Sequence, residues 1–253
     1  MNIIHKGASI FYHVQGQGRP LVLLHGFLEN STMWDVFLPE LTKTHQVICI
    51  DLLGHGQSES VGYIHSMQEM SQAVNTVIDK LHLKDITIVG HSMGGYVGCA
   101  FAKAHSEIVH AICLLNSTPD ADTPDRKTLR KRANKMAQTQ YEQLVRMSFV
   151  NLFDPEAKKS HAAAIDTALF EALQTPVQGY MAAKEGMAKR EDHNVFWENT
   201  PCIKGMILGK TDWIINAEEH KKRFASSTDF LTIIEGGHMS HISNSTTTLS
   251  TIK

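Results

Sequence analysis

No apolar run in this chain is long enough to cross a bilayer, so a membrane-spanning helix is excluded as an organising element. The amino terminus, Met-Asn-Ile-Ile-His-Lys-Gly, has no long apolar stretch behind a basic one and offers no secretory leader, which makes the cytoplasm the expected compartment. Charge is balanced as well: 24 Lys plus Arg against 26 Asp plus Glu leave a formal net charge of -2, too little to attract nucleic acid or an anionic membrane in general. The four cysteines, Cys49, Cys99, Cys113 and Cys202, lack metal-type spacing and mostly sit inside apolar segments, so they are expected to be reduced and buried. No His-x-x-x-His and no carboxylate pair stands out as a ligand set, and neither a metal nor a cofactor is expected. Internal repeats and low-complexity linkers are absent, and 42% hydrophobic with 20% charged residues argues against disorder. What remains is a soluble globular chain of 253 residues, enough for one large domain or a domain carrying an insertion.

The apolar segments that are present read as strands alternating with helices. Ile3 to His5 and Ala8 to Val14 predict a hairpin turned by Lys6-Gly7, with Ile10, Tyr12 and Val14 on one face. Leu21-Val22-Leu23-Leu24, Gln46 to Ile50, Ile86 to Val89, Val109 to Leu115, Pro201 to Leu208 and Phe230 to Ile234 have the unbroken apolar character of strands covered on both sides. Asn30 or Ser31 can cap a helix after the first of these. Met67, Met70, Val74, Val77, Ile78 and Leu81 recur at helical spacing, and Met93 to His105 and Ala217 to Ala225 predict further helices. This alternation specifies an α/β fold, a mainly parallel sheet with helices on both faces.

From Thr118 to Thr200 the alternation stops and only helices are predicted. Thr123-Pro124-Asp125 is a helix start with a capping hydroxyl, a first-turn proline and an acid near the positive end of the dipole. Leu129, Met136, Leu144 and Met147 are its expected apolar positions, and more helices should follow Asp154-Pro155 and Thr175-Pro176. The insert holds twelve basic and twelve acidic residues, so the run Arg126, Lys127, Arg130, Lys131, Arg132, Lys135 is expected to be a solvated helix face and not a nucleic-acid contact. The tail from Ser243, rich in serine and threonine, is a poor helix by propensity.

Chemistry gathers in the loops after the strands, which a parallel sheet brings to one edge. Gly90-His91-Ser92-Met93-Gly94 is a G-x-S-x-G turn running from a strand into a helix, where small residues let the serine oxygen stand clear of the backbone. A serine hydroxyl needs a base to take its proton and an acid to orient that base; Asp212 and His238 follow later strands, and the order Ser92, Asp212, His238 is the one this architecture uses. The oxyanion donors expected are the backbone N–H groups of Met93, just after the serine, and of Phe27, in the turn His25-Gly26-Phe27. His241 competes with His238 for the base, and Asp120 and Asp122 compete with Asp212 for the acid. His25, His55 and His91 are expected to brace loops, as is Asp51.

Leu-His-Gly-Phe at 24 to 27, Asp-Leu-Leu-Gly-His-Gly-Gln-Ser at 51 to 58, Gly-His-Ser-Met-Gly-Gly at 90 to 95, Gly-Lys-Thr-Asp at 209 to 212 and Gly-Gly-His at 236 to 238 together resemble the α/β-hydrolase superfamily over essentially the whole chain. The resemblance implies a hydrolase core at residues 1–117 and 201–253, with residues 118–200 as the helical cap that this family places between its sixth and seventh strands. A serine nucleophile points to esterase-type members and away from epoxide hydrolases and haloalkane dehalogenases, which use aspartate there. One departure is the short polar end, where relatives continue from the catalytic histidine into a longer acidic, amphipathic helix. The expected reaction is hydrolysis of a carboxylic ester of small to medium acyl size through an acyl-enzyme, and the expected partner is a small-molecule ester, with a homodimer left open. Thioester, lactone or carbon–carbon bond hydrolysis would use the same parts, and a slow-turnover receptor could keep them; basic residues such as Arg130 and Arg132 would serve a coenzyme A thioester.

Overall fold

Strands whose residues are apolar on both sides end up in the middle of a sheet, because neither face needs to meet water. The computed structural model, which describes residues 1–253, shows this for the central members of one eight-stranded sheet. β1 (Asn2–His5) and β2 (Ala8–Gln15) form the expected antiparallel hairpin, with Ile3 opposite Ile10. Lys6 and Gly7 both take positive φ, as a tight two-residue hairpin turn requires. β3 (Arg19–Leu24), β4 (His45–Ile50), β5 (Ile86–His91), β6 (Val109–Leu115), β7 (Ile203–Gly209) and β8 (Phe230–Ile234) are mutually parallel, and the spatial order is β1-β2-β4-β3-β5-β6-β7-β8. β2 joins this set antiparallel to β4, so the amino-terminal hairpin is the edge.

Alternate side chains of each strand feed two cores. Val22, Leu24, Ile48, Ile50, Ile88 and Leu114 pack against α2 (Met67–Lys80) and α3 (Met93–Ala104), whereas Leu21, Leu23, Val47, Cys49, Val89 and Leu115 pack against Trp34, Phe37 and α1 (Leu38–Leu41). Asn30 starts the segment before α1, its side chain accepting the Thr32 N–H at 2.9 Å, but a single 3-10 turn, Ser31–Trp34, follows it and not a full α-helix. Ser66 caps α2 by accepting the Glu69 N–H at 3.0 Å, and Glu69 three residues on is the partner expected of a capping box. All four cysteines are free and buried. No helix is long and apolar enough to cross a membrane.

Between β6 and β7 come five helices and no strand: α4 (Pro124–Val150), α5 (Pro155–Ser160), α6 (Ala162–Leu173), α7 (Val177–Ala188) and α8 (Asn194–Asn199). Thr123 caps α4 and Asp154 caps α5, each through its own side-chain oxygen. Two expectations for α4 need correction. Leu129, Met136 and Met147 are exposed, and the buried face is Ala137, Leu144, Val145 and Phe149. The helix is bent at Gln140 (φ -138°, ψ 43°), which rotates the second half relative to the first and breaks a single 3.6-residue stripe. The basic run also divides: Lys127, Lys131, Arg132 and Lys135 are solvated, but Arg126 reaches the Ile214 carbonyl and Arg130 pairs with buried Asp122.

α9 (Ala217–Phe224) follows β7, and α10 (Ser240–Ser243) and α11 (Ser245–Ile252) close the chain. The helical tail overturns the reading from propensity. Thr248 is fully buried and donates to the Ser240 and Asn244 carbonyls, while Leu249 and Ile252 pack on the sheet, so tertiary contacts outweigh a few tenths of a kcal/mol per residue of unfavourable propensity.

Candidate active site

The turn at Ser92 begins where β5 ends. Ser92 takes φ 48° and ψ -113°, a conformation that a side-chain-bearing residue adopts only when its surroundings impose it. Two glycines permit the crossing: a Cβ at Gly90 would collide with the Gly94 backbone, and one at Gly94 with the Leu24 carbonyl. The Ser92 N–H donates to the Leu115 carbonyl of β6 (3.0 Å), and Ser117 Oγ donates to the Ser92 carbonyl (2.7 Å). The hydroxyl is thereby aimed from a fixed backbone.

The two later loops meet it. His238 Nε2 lies 2.9 Å from Ser92 Oγ, and His238 Nδ1 lies 2.8 Å from Asp212 Oδ2. Asp212 is held by its other oxygen, which accepts the Ile214 and Ile215 N–H groups at 2.8 and 3.0 Å. The His238 loop is tied from its backbone: its carbonyl accepts from Asn116 Nδ2 (2.8 Å) and His91 Nε2 (2.9 Å). Asn116 Oδ1 accepts the Gly209 N–H (2.7 Å), so one side chain joins the loop carrying Asp212 to the loop carrying His238. Sequence reading passed over Asn116; its positive φ (46°) at the end of β6 shows itself only in the folded backbone.

The turn His25-Gly26-Phe27 lies alongside. Neither the Phe27 nor the Met93 N–H donates a hydrogen bond within the chain. His25 donates from Nδ1 to the Gly26 carbonyl (2.7 Å) and accepts the Leu52 N–H at Nε2 (2.8 Å), a pair of roles only the neutral ring can fill. Its burial, outweighing the nearby Asp51 charge, holds its pKa below the ordinary value. His55 packs edge-on to Phe27, and burial lowers its pKa to about 3. Asp51 accepts the Ser31 and Gln57 N–H groups, the bracing expected of it.

The group that sequence reading missed here is Glu29. One of its oxygens accepts the Gly26 N–H (2.7 Å) and the His91 Nδ1 hydrogen (2.6 Å), and the other lies 3.1 Å from His241 Nε2. Since His91 faces a carboxylate on one nitrogen and the His238 carbonyl on the other, both must donate and the ring is the cation. Burial works against that charge, but Glu29 prevails and the His91 pKa is raised; burial likewise opposes the Glu29 carboxylate, which the two histidines hold well below its usual range. A buried ion pair thus spans the His25-Gly26-Phe27 turn, the Ser92 turn and the His238 loop. His241, the competing base, belongs to this pair and not to Ser92. Asp120 pairs with Arg223, and Asp122 with Arg130 and Arg190, so neither competing acid reaches His238.

Glu29, His91 and His241 bring ligand-type atoms within 4.8 Å of one another, a set the sequence spacing did not announce. Both His91 nitrogens are already committed as donors, so a cation there would have to displace those protons. An apolar cavity of about 480 Å³ opens between Leu28, Met33, Phe149 and Ile242; Glu29 and His241 reach it, but Ser92 does not line it. Against the inserted helices, the ring of Phe27 packs on Tyr180 of α7 (centroids 5.0 Å apart), and Tyr180 on Tyr141 of α4 (5.4 Å).

A family model described as alpha/beta hydrolase fold matches residues 19–245. The chain belongs to the α/β-hydrolase family. Among solved α/β-hydrolase structures, a thermophilic esterase from Thermogutta terrifontis superposes with a TM-score of 0.92 at 25% identity, covering 99% of this chain and 94% of that one. The enol-lactonase from Burkholderia xenovorans LB400 superposes with a TM-score of 0.91 at 19% identity, over 100% and 98% of the two chains, a likeness of fold. An uncharacterized protein of Mycobacterium tuberculosis is 33% identical over 106 residues, 42% of this chain and 31% of that protein, so the chain spans about a third of that relative's length.

Proposed function

We propose that this α/β-hydrolase is a serine hydrolase that cleaves carboxylic esters of small to medium acyl groups through an acyl-enzyme. The observation that carries the reading is the continuous chain Ser92 Oγ, His238 Nε2, His238 Nδ1, Asp212 Oδ2, set on a strained serine turn with two unengaged backbone N–H groups beside it. Ser92 Oγ attacks the ester carbonyl as His238 Nε2 takes its proton, and Asp212 keeps the hydrogen on Nδ1 and stabilises the imidazolium. The N–H groups of Phe27 and Met93 meet the oxyanion, commonly a few kcal/mol per donor, and the tetrahedral adduct collapses as His238 returns the proton to the leaving alkoxide. Water then attacks the acyl-enzyme by the same route, releasing the acid and restoring Ser92. No step calls for a metal or a cofactor.

In this reading residues 1–117 and 201–253 are the core, and residues 118–200 form a cap that supplies the wall of the acyl or alcohol site through Tyr180. The four buried free thiols support a reducing, cytoplasmic setting. An esterase and an enol-lactonase share the fold, and a lactone is an ester closed on itself, so open and cyclic esters both belong in the substrate panel. The test is Ser92→Ala against p-nitrophenyl acetate and butyrate. Activity should drop by roughly three to six orders of magnitude with the thermal unfolding midpoint nearly unchanged; undiminished turnover would sink the assignment.

A further inference from the structure

The inner face of α7 carries two polar groups, four residues apart, that find no partner in the chain. Lys184 Nζ sits 4.6 Å from the centre of the Phe27 ring and 5.4 Å from that of Tyr180. It makes neither an ion pair nor a hydrogen bond. Asp122 is the one carboxylate whose charge acts on it appreciably, but the Asp122 oxygens are taken by Arg130 and Arg190. Aromatic faces attract an ammonium, yet they leave its three N–H donors without true acceptors. Tyr180 is fully buried, and its hydroxyl also lacks a partner. Arg126 and Arg130 add positive charge around the pair, and burial first, with these arginines, brings the Lys184 pKa down to about 7. Lys184 is half-buried, open enough for a ligand to reach, and an unpaired ammonium beside a buried hydroxyl with a local excess of positive charge is what an anionic group on a ligand satisfies. Phe27 connects this place to the chemistry, because its N–H is an oxyanion donor in the reading above and its ring is the floor beneath Lys184.

We propose that Lys184 and the Tyr180 hydroxyl form a carboxylate subsite beside the oxyanion turn, so that the ester this enzyme cleaves carries an anionic group a few bonds from the scissile carbonyl. The proposal rests on the serine-hydrolase reading for its location and extends it to a substrate class, the half-esters or lactones of acids bearing a second carboxylate. Lys184 is here a specificity-determining residue and takes no part in proton transfer at Ser92.

The experiment compares mono-p-nitrophenyl glutarate with p-nitrophenyl valerate, acyl chains of equal length that differ in a terminal carboxylate or methyl, near neutral pH. The readout is the ratio of their kcat/KM values, in which any general loss of activity divides out. Wild type should favour the glutarate ester, Lys184→Met should lower the ratio by roughly tenfold or more, and Lys184→Arg should keep most of it; Lys184→Gln is the alternative neutral variant if Lys184→Met does not fold. An unchanged ratio in the neutral variant overturns the subsite. Binding is read separately from turnover: free glutarate should raise the melting temperature of Ser92→Ala and fail to raise that of the Ser92→Ala, Lys184→Met double variant. If wild type cleaves neither ester, the hydrolase reading falls on its own, and the glutarate shift still decides the subsite. Equal shifts in both variants, or none in either, reject it.

Discussion

Asp212 and His238 at the carboxyl edge of the sheet each have more hydrogen-bond partners than the proposed reaction uses, while the Tyr180 hydroxyl and the Lys184 ammonium on the inserted helix above have none. Asp212 spends one oxygen on two backbone N–H groups before it touches His238, and the His238 carbonyl is gripped by both His91 and Asn116. The lower region is therefore set in advance, by groups that never meet substrate. The upper region leaves its polar groups unmet in a partly aromatic wall. A hydrolase needs this division, since the reacting atoms must be placed within tenths of an ångström while the pocket must prefer one molecule over another.

Substitutions below should therefore cost catalysis or the whole fold, and substitutions on the solvated face of the inserted helices should cost neither. The largest effect is expected from Asp212→Asn, which keeps the shape but allows the wrong His238 tautomer; steady-state kinetics should show kcat down by about 10³ to 10⁴ with little change in unfolding. Glu29→Gln should come next, and on stability. It leaves buried His91 without its counter-ion, a loss on the order of 3 to 5 kcal/mol by denaturant titration. Its pH dependence has a definite sign. The raised His91 pKa means the pair's stabilisation is complete below the ordinary histidine value and fades as pH climbs through the raised one, and the depressed Glu29 pKa means it is retained down into the acid range. The stability gap between wild type and Glu29→Gln should thus be widest in mildly acidic buffer and narrow in alkali; a gap that widens with alkali would refute the cationic His91.

Asn116→Ala should cost about 1 to 3 kcal/mol by unfolding, because it orphans the buried Gly209 N–H, and kcat should fall with it as the His238 loop loosens. The smallest effect belongs to the upper region. Replacing Lys127, Lys131, Arg132 and Lys135 together by glutamine should leave kcat/KM on neutral esters unmoved and change stability by less than about 0.5 kcal/mol per site, since all four are solvated. A marked loss there would break the contrast between the two regions.

The same contrast explains what could be read from the sequence. The strands of the core were legible because a chain segment buried on both faces has to be largely apolar, and Val109–Leu115 falls at its expected bounds; the edge strand Phe230–Ile234 does too, although most of it is only half-buried. Ser92, Asp212 and His238 were legible as candidates because each follows such a strand, and the structure brings them together. Glu29 was not, since a glutamate in a loop carries no signal until His91, 62 residues away, arrives beside it. The faces of α4 were misread because a bend at Gln140 destroys the single period that such a reading assumes. The carboxy-terminal helix was misjudged for the opposite reason, its local preference being weak and its support coming from Ser240 and the sheet.

The buried cysteines have a practical side. Burial pushes the thiols of Cys49, Cys99 and Cys113 up, the last to about 12, so in the folded protein almost none is present as thiolate and none can be reached by a reagent in water. Cys49 sits on one side of the sheet and Cys99 on the other. Alkylation of either therefore clocks the opening of its own layer, and the native sequence carries a pair of internal reporters that would tell whether the two cores come apart together or in turn.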